Sequence, residues 1–130
     1  MTRAERGGVI RYQTDWGSIE VSPLAIAAVA SAAALECYGV VGMASRSLRD
    51  GLAELLTRDA GHRGVEVQLR DGEIGVDLYV VIEYGVRISE VARNVMSLVR
   101  FRLEKVLDMP VAYVNVHVQG LRVSPQDERQ

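Results

Sequence analysis

The chain has 130 residues, 48% of them hydrophobic, which suits one domain with a single buried core. Its net charge of -2 does not supply the positive field that nucleic-acid-binding proteins usually carry, so nucleic acid is not an expected partner. One Cys and two His offer neither an internal disulfide nor a zinc-ligand spacing, and no phosphate-loop or dinucleotide fingerprint occurs. We therefore expect no metal and no cofactor.

The N-terminal region is predicted to precede the folded domain. Residues 1–16 carry charges but no apolar stretch of signal-peptide length, so we interpret them as an N-terminal arm of a cytoplasmic protein. The first predicted strand is "GSIEV", at residues 17–21. Ser22 and Pro23 then form a helix start signal with the serine as N-cap, and Gly39 should end that helix.

The apolar stretch at residues 24–43 has the length of a membrane span. It is built mainly from alanine, however, and it is interrupted by Glu36 and by two glycines near its end. The stretch therefore indicates a buried helix of a water-soluble domain, without direct membrane insertion. The turn after the helix leads to residues 52–59, predicted as one or two helical turns, and to a loop at 60–64.

The centre of the chain has the pattern of a β-hairpin. Apolar and polar side chains alternate through residues 65–84, and Asp71 and Gly72 supply the turn. On the second strand, one predicted face consists of Val76, Leu78, Val80, Ile82 and Tyr84, and the other of Asp77, Tyr79, Val81 and Glu83.

A second helix and a last strand complete the pattern. Ser89 is the predicted N-cap of a helix that stops before Pro110. Its predicted apolar stripe consists of Val91, Val95, Leu98, Val99, Leu103 and Val106. The last strand, "AYVNVHVQG" (112–120), again alternates with period two.

These elements predict an α+β fold, a two-layer sandwich in the order β-α-β-β-α-β. Two long helices should cover one face of a mainly antiparallel sheet, in a single domain at residues 17–123, with a disordered tail at 124–130. A ferredoxin-like strand order is the commonest arrangement for this element order. The sheet face without helices must then carry the polar side chains.

The helix-free face holds most of the candidate interaction residues. Period two places Asn115, His117 and Gln119 there, beside Tyr79. His117 with Asp77 or Glu83 could form an acid–base pair, but no nucleophile or pocket-forming loop accompanies them. We therefore expect no enzyme, and a face that is either solvated or a docking surface.

The helices suggest protein contacts. The first helix is apolar on all sides apart from Ser31 and Glu36, so it must be covered on more than one side, and a homo-oligomer is one way to do so. Phe101, the only Phe, should point outward from the second helix and is a further candidate contact residue. RNA binding is the alternative, because "GHRG" (61–64) matches the GxxG loop of KH domains. A regulatory module for a small ligand is another.

The chain resembles the alkaline shock protein family of Gram-positive bacteria, also called envelope stress response proteins. The resemblance covers residues 17–123 and rests on "GSIEVSPLAIAAVASAAALECYGVVGMAS", "RGVEVQLRDGEIGVDLYVVIEYGVRISEVARNV" and "VNVHVQGLRV". The "ECYGVVGMAS" form resembles the subgroup often encoded beside a fatty-acid kinase. The resemblance implies no catalytic residue. It implies a cytoplasmic protein that self-assembles and gathers near the membrane through a membrane-anchored partner, or one that acts with a fatty-acid kinase-like protein.

Overall fold

The computed structural model describes residues 2–6, 9–44 and 64–123. The predicted helical turns at 52–59, most of the predicted loop at 60–64 and the predicted tail at 124–130 lie outside the described residues. Nine helices and strands occupy the described ranges. They form two sheets and a helical layer around a common buried core.

The chain begins with an antiparallel sheet of three strands, β1 (Thr2–Arg6), β2 (Val9–Thr14) and β3 (Gly17–Val21). The predicted first strand is therefore preceded by two others. In β2 the side chains of Ile10 and Tyr12 are buried in the core, and the Tyr12 hydroxyl donates to the backbone oxygen of Leu107. Ile10 and Tyr12 thus attach β2 to the domain. This alternation involves only two apolar residues, which is too few to stand out in the sequence.

Helix α1 (Pro23–Glu36) begins as predicted. The Ser22 hydroxyl accepts a 3.2 Å hydrogen bond from the amide of Ala25, and Pro23 occupies the first turn. The helix ends at Glu36 with Cys37 as its C-cap, and the chain continues into strand β4 (Val40–Met43), where the sequence had predicted only a turn. The apolar stretch at 24–43 is thus divided between a helix and a strand. Neither described helix is long and apolar enough to cross a membrane.

The main sheet is centred on a long strand, β6 (Glu73–Glu83). Strand β5 (Val65–Arg70) pairs with it antiparallel through the predicted turn, in which Asp71 and Gly72 both have positive φ. Strand β7 (Val111–Arg122) runs parallel to β6 along its other edge.

Strands β4 and β5 occupy successive parts of the same edge of β6. They meet at Tyr79, whose backbone N–H donates to the oxygen of Gly64 and whose oxygen accepts from the amide of Ala44, both at 2.7 Å. Gly64 has φ +80, and a Cβ there would lie 2.7 Å from the backbone oxygen of Ala44. Only glycine fits at this junction without strain.

The ferredoxin-like strand order is wrong for this chain. That order would place β3 in the centre of the main sheet, but β3 pairs with β2, from Ile10 opposite Val21 to Thr14 opposite Gly17. The two-residue turn makes this pairing local, so it closes a short loop at little entropic cost. The edge of β6 that β3 would have occupied is taken by β7.

Helix α2 (Ile88–Leu107) starts earlier than the sequence indicated. Its N-cap is Arg87, which makes no side-chain capping bond, and Ser89 lies inside the first turn, so the prediction of Ser89 as cap is wrong. Val106 is exposed and Leu107 is buried in its place. The buried stripe follows a spacing of four residues and consists of Val91, Val95, Val99, Leu103 and Leu107.

Both helices cover the same face of β6, so the predicted α+β two-layer arrangement is confirmed. On this face Val76, Leu78, Val80 and Ile82 are fully buried, whereas Tyr84 lies exposed in the turn after the strand, contrary to the prediction. The two helices are also joined by Arg102 and Glu36, with distances of 2.9 and 3.0 Å from the guanidinium nitrogens to the carboxylate oxygens. This hydrogen-bonded arginine lowers the pKa of Glu36 below its ordinary value.

Candidate interaction surfaces

The helix-free face of the main sheet brings several predicted residues together. In the parallel pairing of β6 and β7, Asp77 lies opposite Asn115 and Tyr79 lies opposite His117. Side chains in register on neighbouring strands share a face, and the buried alternate residues of β6 fix the other face toward the helices. The pairs therefore lie side by side on the surface away from the core.

Asp77 is the acceptor at the centre of this surface. Its Oδ1 accepts a 3.1 Å hydrogen bond from Nδ2 of Asn115 and lies 2.9 Å from Nε2 of His117. The carboxylate is mostly covered, whereas the imidazole is 40% exposed. One oxygen atom of Asp77 thus positions the Asn115 amide and the His117 imidazole at the same time. The polar side chains of β6 and β7 on this face are therefore linked to each other.

Tyr79 extends the same network. Its ring stacks on His117 with centroids 4.5 Å apart and planes inclined by 12°, and its hydroxyl donates to Oε1 of Glu66 at 3.3 Å. We call this set the helix-free cluster: Glu66, Asp77, Tyr79, Asn115 and His117. It spans three strands and forms a flat, hydrogen-bonded patch, with aromatic faces beside carboxylates.

The helix-free cluster combines carboxylate, amide and imidazole groups with an aromatic ring on one surface. Its members contain no serine, cysteine or lysine that His117 could activate for nucleophilic attack. Beside it lies an open, polar cavity of about 370 Å³, lined by residues that include Arg70, Asp77 and Tyr113. A Cβ at Gly75 would overlap the Tyr113 ring, so glycine lets this aromatic ring lie against the sheet.

Gln119 follows the cluster in β7, at a place where the pairing of the strands is irregular. The register of β6 and β7 shifts so that Val80 pairs with Val118 and the next residue, Val81, pairs with Gly120. Gln119 is the extra residue of this bulge and is exposed. A bulge interrupts period two, so alternation alone does not fix the direction of the Gln119 side chain.

Phe101 is separated from the other candidates. It lies on the outer side of α2, in the helical layer, with 59% of its surface exposed. The ammonium of Lys105, one helical turn further along, lies 5.6 Å from the centre of its ring. The outward position matches the prediction, but Phe101 and the helix-free cluster belong to opposite layers of the sandwich.

The outer side of α1 is apolar. Leu24 is 57% exposed and Leu35 is 49% exposed. Between them, Ala28 and Ala32 fall on the same side of the helix at a spacing of four residues. We call these four residues the α1 outer stripe. The buried side of the helix consists of Ile26, Ala27, Ala30, Ser31, Ala33 and Ala34.

Trp16 was missed by the sequence reasoning. This residue, the only tryptophan, lies in the turn between β2 and β3 with 99% of its surface exposed. The Thr14 hydroxyl orders the turn, because it accepts from the amide of Trp16 at 3.1 Å and donates to the oxygen of Gly17 at 2.9 Å. The "TDWG" pattern, a tryptophan between turn-forming residues, was the available signal.

Comparison with known proteins settles the family. The family model of the alkaline shock proteins, described by a cell envelope-related function, matches residues 11–123. The chain belongs to this family. The match includes most of β2, all of β3, both helices and all strands of the main sheet.

Relatives of similar length occur in Bacillus subtilis and Streptococcus pyogenes. The chain is 42% identical over 116 residues to the uncharacterized protein YloU of Bacillus subtilis (strain 168), covering 88% of this chain and 97% of that protein. It is 43% identical over 115 residues to the uncharacterized protein Spy1614 of Streptococcus pyogenes serotype M6, covering 88% and 95% respectively. No solved structure matches the chain.

Proposed function

We propose that this chain is a non-catalytic protein-interaction module of the cell envelope, located in the cytoplasm, that associates with copies of itself. The α1 outer stripe is the observation that carries the proposal. Leu24 and Leu35 expose about half of their surfaces on a helix whose outer side otherwise presents mostly alanines. Burial of such surface against another protein is favourable by roughly 25 cal/mol per Å² of apolar area.

The form of the stripe favours self-association. Small residues between two leucines let a second helix approach closely, so two copies of α1 can pack with each leucine over the alanines of the other copy. Such a contact uses the same surface on both copies and therefore closes as a dimer. Glu36 at the end of the stripe is already paired with Arg102, so its charge does not oppose the contact.

The helix-free cluster provides a second surface, for a different protein. Its donors and acceptors are fixed by one another, so little ordering is needed when a partner binds. A membrane-anchored protein or a fatty-acid kinase-like protein is the kind of partner that the family resemblance implies. A cell envelope function then follows if self-association concentrates the chain beside such a partner.

Light scattering over a dilution series tests self-association. The wild-type protein should have a mass above 14.3 kDa that falls toward this value on dilution. The double variant Leu24→Glu, Leu35→Glu should be monomeric at all concentrations, because it places charges in the proposed contact. Ser97→Glu, at an exposed position on α2, is the matched control and should associate like wild type. A wild-type protein that is monomeric throughout would reject the proposal.

Binding of a small polar ligand is a second candidate function, favoured by the cavity beside the helix-free cluster. Its volume of about 370 Å³ falls within the range of small-molecule sites. A ligand there should raise the melting temperature of wild type but not of Tyr113→Ala, which removes an aromatic wall. An equal rise in both proteins would place the ligand elsewhere.

A further inference from the structure

The turn between β2 and β3 presents the Trp16 side chain on a hydrogen-bonded backbone. Besides the two hydrogen bonds of Thr14, Nε2 of Gln13 donates to the oxygen of Gly17 at 3.3 Å, so the turn is bonded on both sides of the tryptophan. A side chain on a pre-ordered turn loses little further freedom when it is bound.

Full exposure of this side chain is unusual for its type. Tryptophan is highly buried on average, and its large ring dominates the energetics of many interfaces. Residues whose truncation weakens binding most are enriched in tryptophan that fills a pocket on the partner. At 99% exposure Trp16 fills no pocket formed by the described residues. The question is therefore which surface receives it.

A fitting groove lies where the end of α1 meets the start of α2. It has a volume of about 230 Å³ and is lined by Tyr38, Gly85, Val86, Arg87, Glu90, Val91 and Asn94. Val86 and Val91 make its apolar part, and the ring of Tyr38, 78% exposed, provides an aromatic wall. The side chains of Glu90 and Asn94 offer oxygen atoms that could accept from the indole N–H.

The charges beside the two features are complementary. Asp15 immediately precedes Trp16 in the turn, and Arg87 lies at the rim of the groove. Arg87 has one described charged neighbour, Glu90, with 3.5 Å between nitrogen and oxygen, and both side chains are well exposed. A pair of this kind contributes little and leaves most of the guanidinium donors available for a second carboxylate.

We propose that Trp16 of one copy inserts into the groove of a second copy, with Asp15 placed beside Arg87. This inference rests on the proposed self-association and names a second contact for it. Because projection and groove are different surfaces of the same chain, the contact is heterologous and can add copies without closing. Combined with a closed contact at the α1 outer stripe, it would build assemblies larger than a dimer.

Fluorescence of the only tryptophan reports the insertion directly. With rising protein concentration, the Trp16 emission should move to shorter wavelength and become less accessible to acrylamide. Val86→Asp and, separately, Tyr38→Ala should abolish this change because they alter the groove. Tyr84→Ala is the matched control, since Tyr84 is also exposed in this region but does not line the groove. Concentration-dependent emission that is equal in all four proteins would overturn the inference.

A mixing experiment provides the sharpest test. Trp16→Ala retains the groove but has no tryptophan, and Val86→Asp retains the tryptophan but lacks the groove. Each alone should show no concentration-dependent burial. In a mixture, Trp16 of the Val86→Asp copies should regain the shifted emission, because it can enter the grooves of the Trp16→Ala copies. Tyr38→Ala can replace Val86→Asp if the aspartate prevents folding. A mixture without any shift would overturn the inference.

The outcomes separate the two proposals. If light scattering shows self-association while Trp16 emission stays unshifted, the α1 contact stands and the Trp16 contact fails. If neither changes with concentration, both fail. A shift caused by phosphatidylglycerol vesicles at high protein dilution would also overturn the inference, because the receiving surface would then be a lipid. If Trp16 is the main anchor, Trp16→Ala should raise the dissociation constant of this contact about 30-fold.

Discussion

The two faces of strand β6 differ completely although their residues alternate along one short segment. Toward the helices, every second residue from Ile74 to Ile82 is fully buried. Away from the helices, the intervening residues include Asp77 and Tyr79, whose side chains are joined to β5 and β7 by hydrogen bonds and stacking. Period two thus separates a fully buried apolar face from a partly exposed, hydrogen-bonded face within one strand.

The difference has an energetic basis. The buried face stabilises the fold by removing apolar area from water, at about 25 cal/mol per Å². On the helix-free face, hydrogen bonds between partly exposed groups replace bonds to water, so each contributes little to the net stability. Substitutions on the helix-free face should therefore change the free energy of unfolding little, whereas substitutions on the buried face should lower it strongly. The following predictions test this difference.

The largest expected effect is on the buried face. Leu78→Ala should lower the free energy of unfolding by about 2–5 kcal/mol, because a fully buried leucine leaves a cavity that the sheet cannot fill. Gln68→Ala, at an exposed position of the neighbouring strand, is the control and should change it by less than about 0.5 kcal/mol. Urea unfolding measures both. Similar losses in the two variants would mean that the faces are not energetically distinct.

A smaller effect is expected where the helix-free face is packed by one aromatic ring. Gly75→Ala should displace the Tyr113 ring from the sheet and lower the free energy of unfolding by about 1–3 kcal/mol, because the added Cβ would overlap the ring. In a Tyr113→Ala background the same change should become neutral or stabilising, because glycine itself weakens a strand interior.

The double-mutant cycle of these two sites gives the coupling directly. Gly42→Ala is the control, because a Cβ at Gly42 meets no atom within 4 Å. Its effect should be the same with or without Tyr113. If Gly75→Ala lowers the free energy of unfolding equally in both backgrounds, the Tyr113 ring does not pack against Gly75 in solution.

The sequence was sufficient wherever the deciding interactions are local. Alternation in residues 65–84 predicted the hairpin and both faces of β6, and the Ser–Pro signal predicted the start of α1. Alternation in residues 65–84 placed Tyr79 on the helix-free face, and alternation in residues 112–120 placed Asn115 and His117 there. The parallel register of β6 and β7 then brings these side chains together. Period two depends only on backbone geometry, so no knowledge of the partner strand was needed.

Features that depend on distant partners were missed. The bulge at Gln119 arises from the register between β6 and β7, and β4 exists because the edge of β6 beyond β5 is open to it. Helix α2 starts at Ile88, and its N-cap Arg87 makes no side-chain capping bond, so Ser89 was a misleading signal. Trp16 gave no period at all, because a single residue in a two-residue turn has no repeat to detect.

The smallest effect is expected for His117, and its neighbour provides the strictest comparison. Val116 packs against the core, whereas His117 lies on the helix-free face, although the two are consecutive in β7. Val116→Ala should lower the free energy of unfolding by about 1–3 kcal/mol through lost methyl groups and packing.

His117→Ala removes a bond to Asp77 and a stacking contact with Tyr79, both at a partly exposed position. Such contacts are worth a few tenths of a kcal/mol each, so the total loss should stay below about 1 kcal/mol. Urea unfolding at pH 7 compares the variants under one condition. If the face docks a partner, His117→Ala should weaken the complex far more than the fold. Should His117→Ala instead destabilise the protein as much as Val116→Ala, the cluster would be part of the folding core, and the two faces of the sheet would not divide stability from recognition.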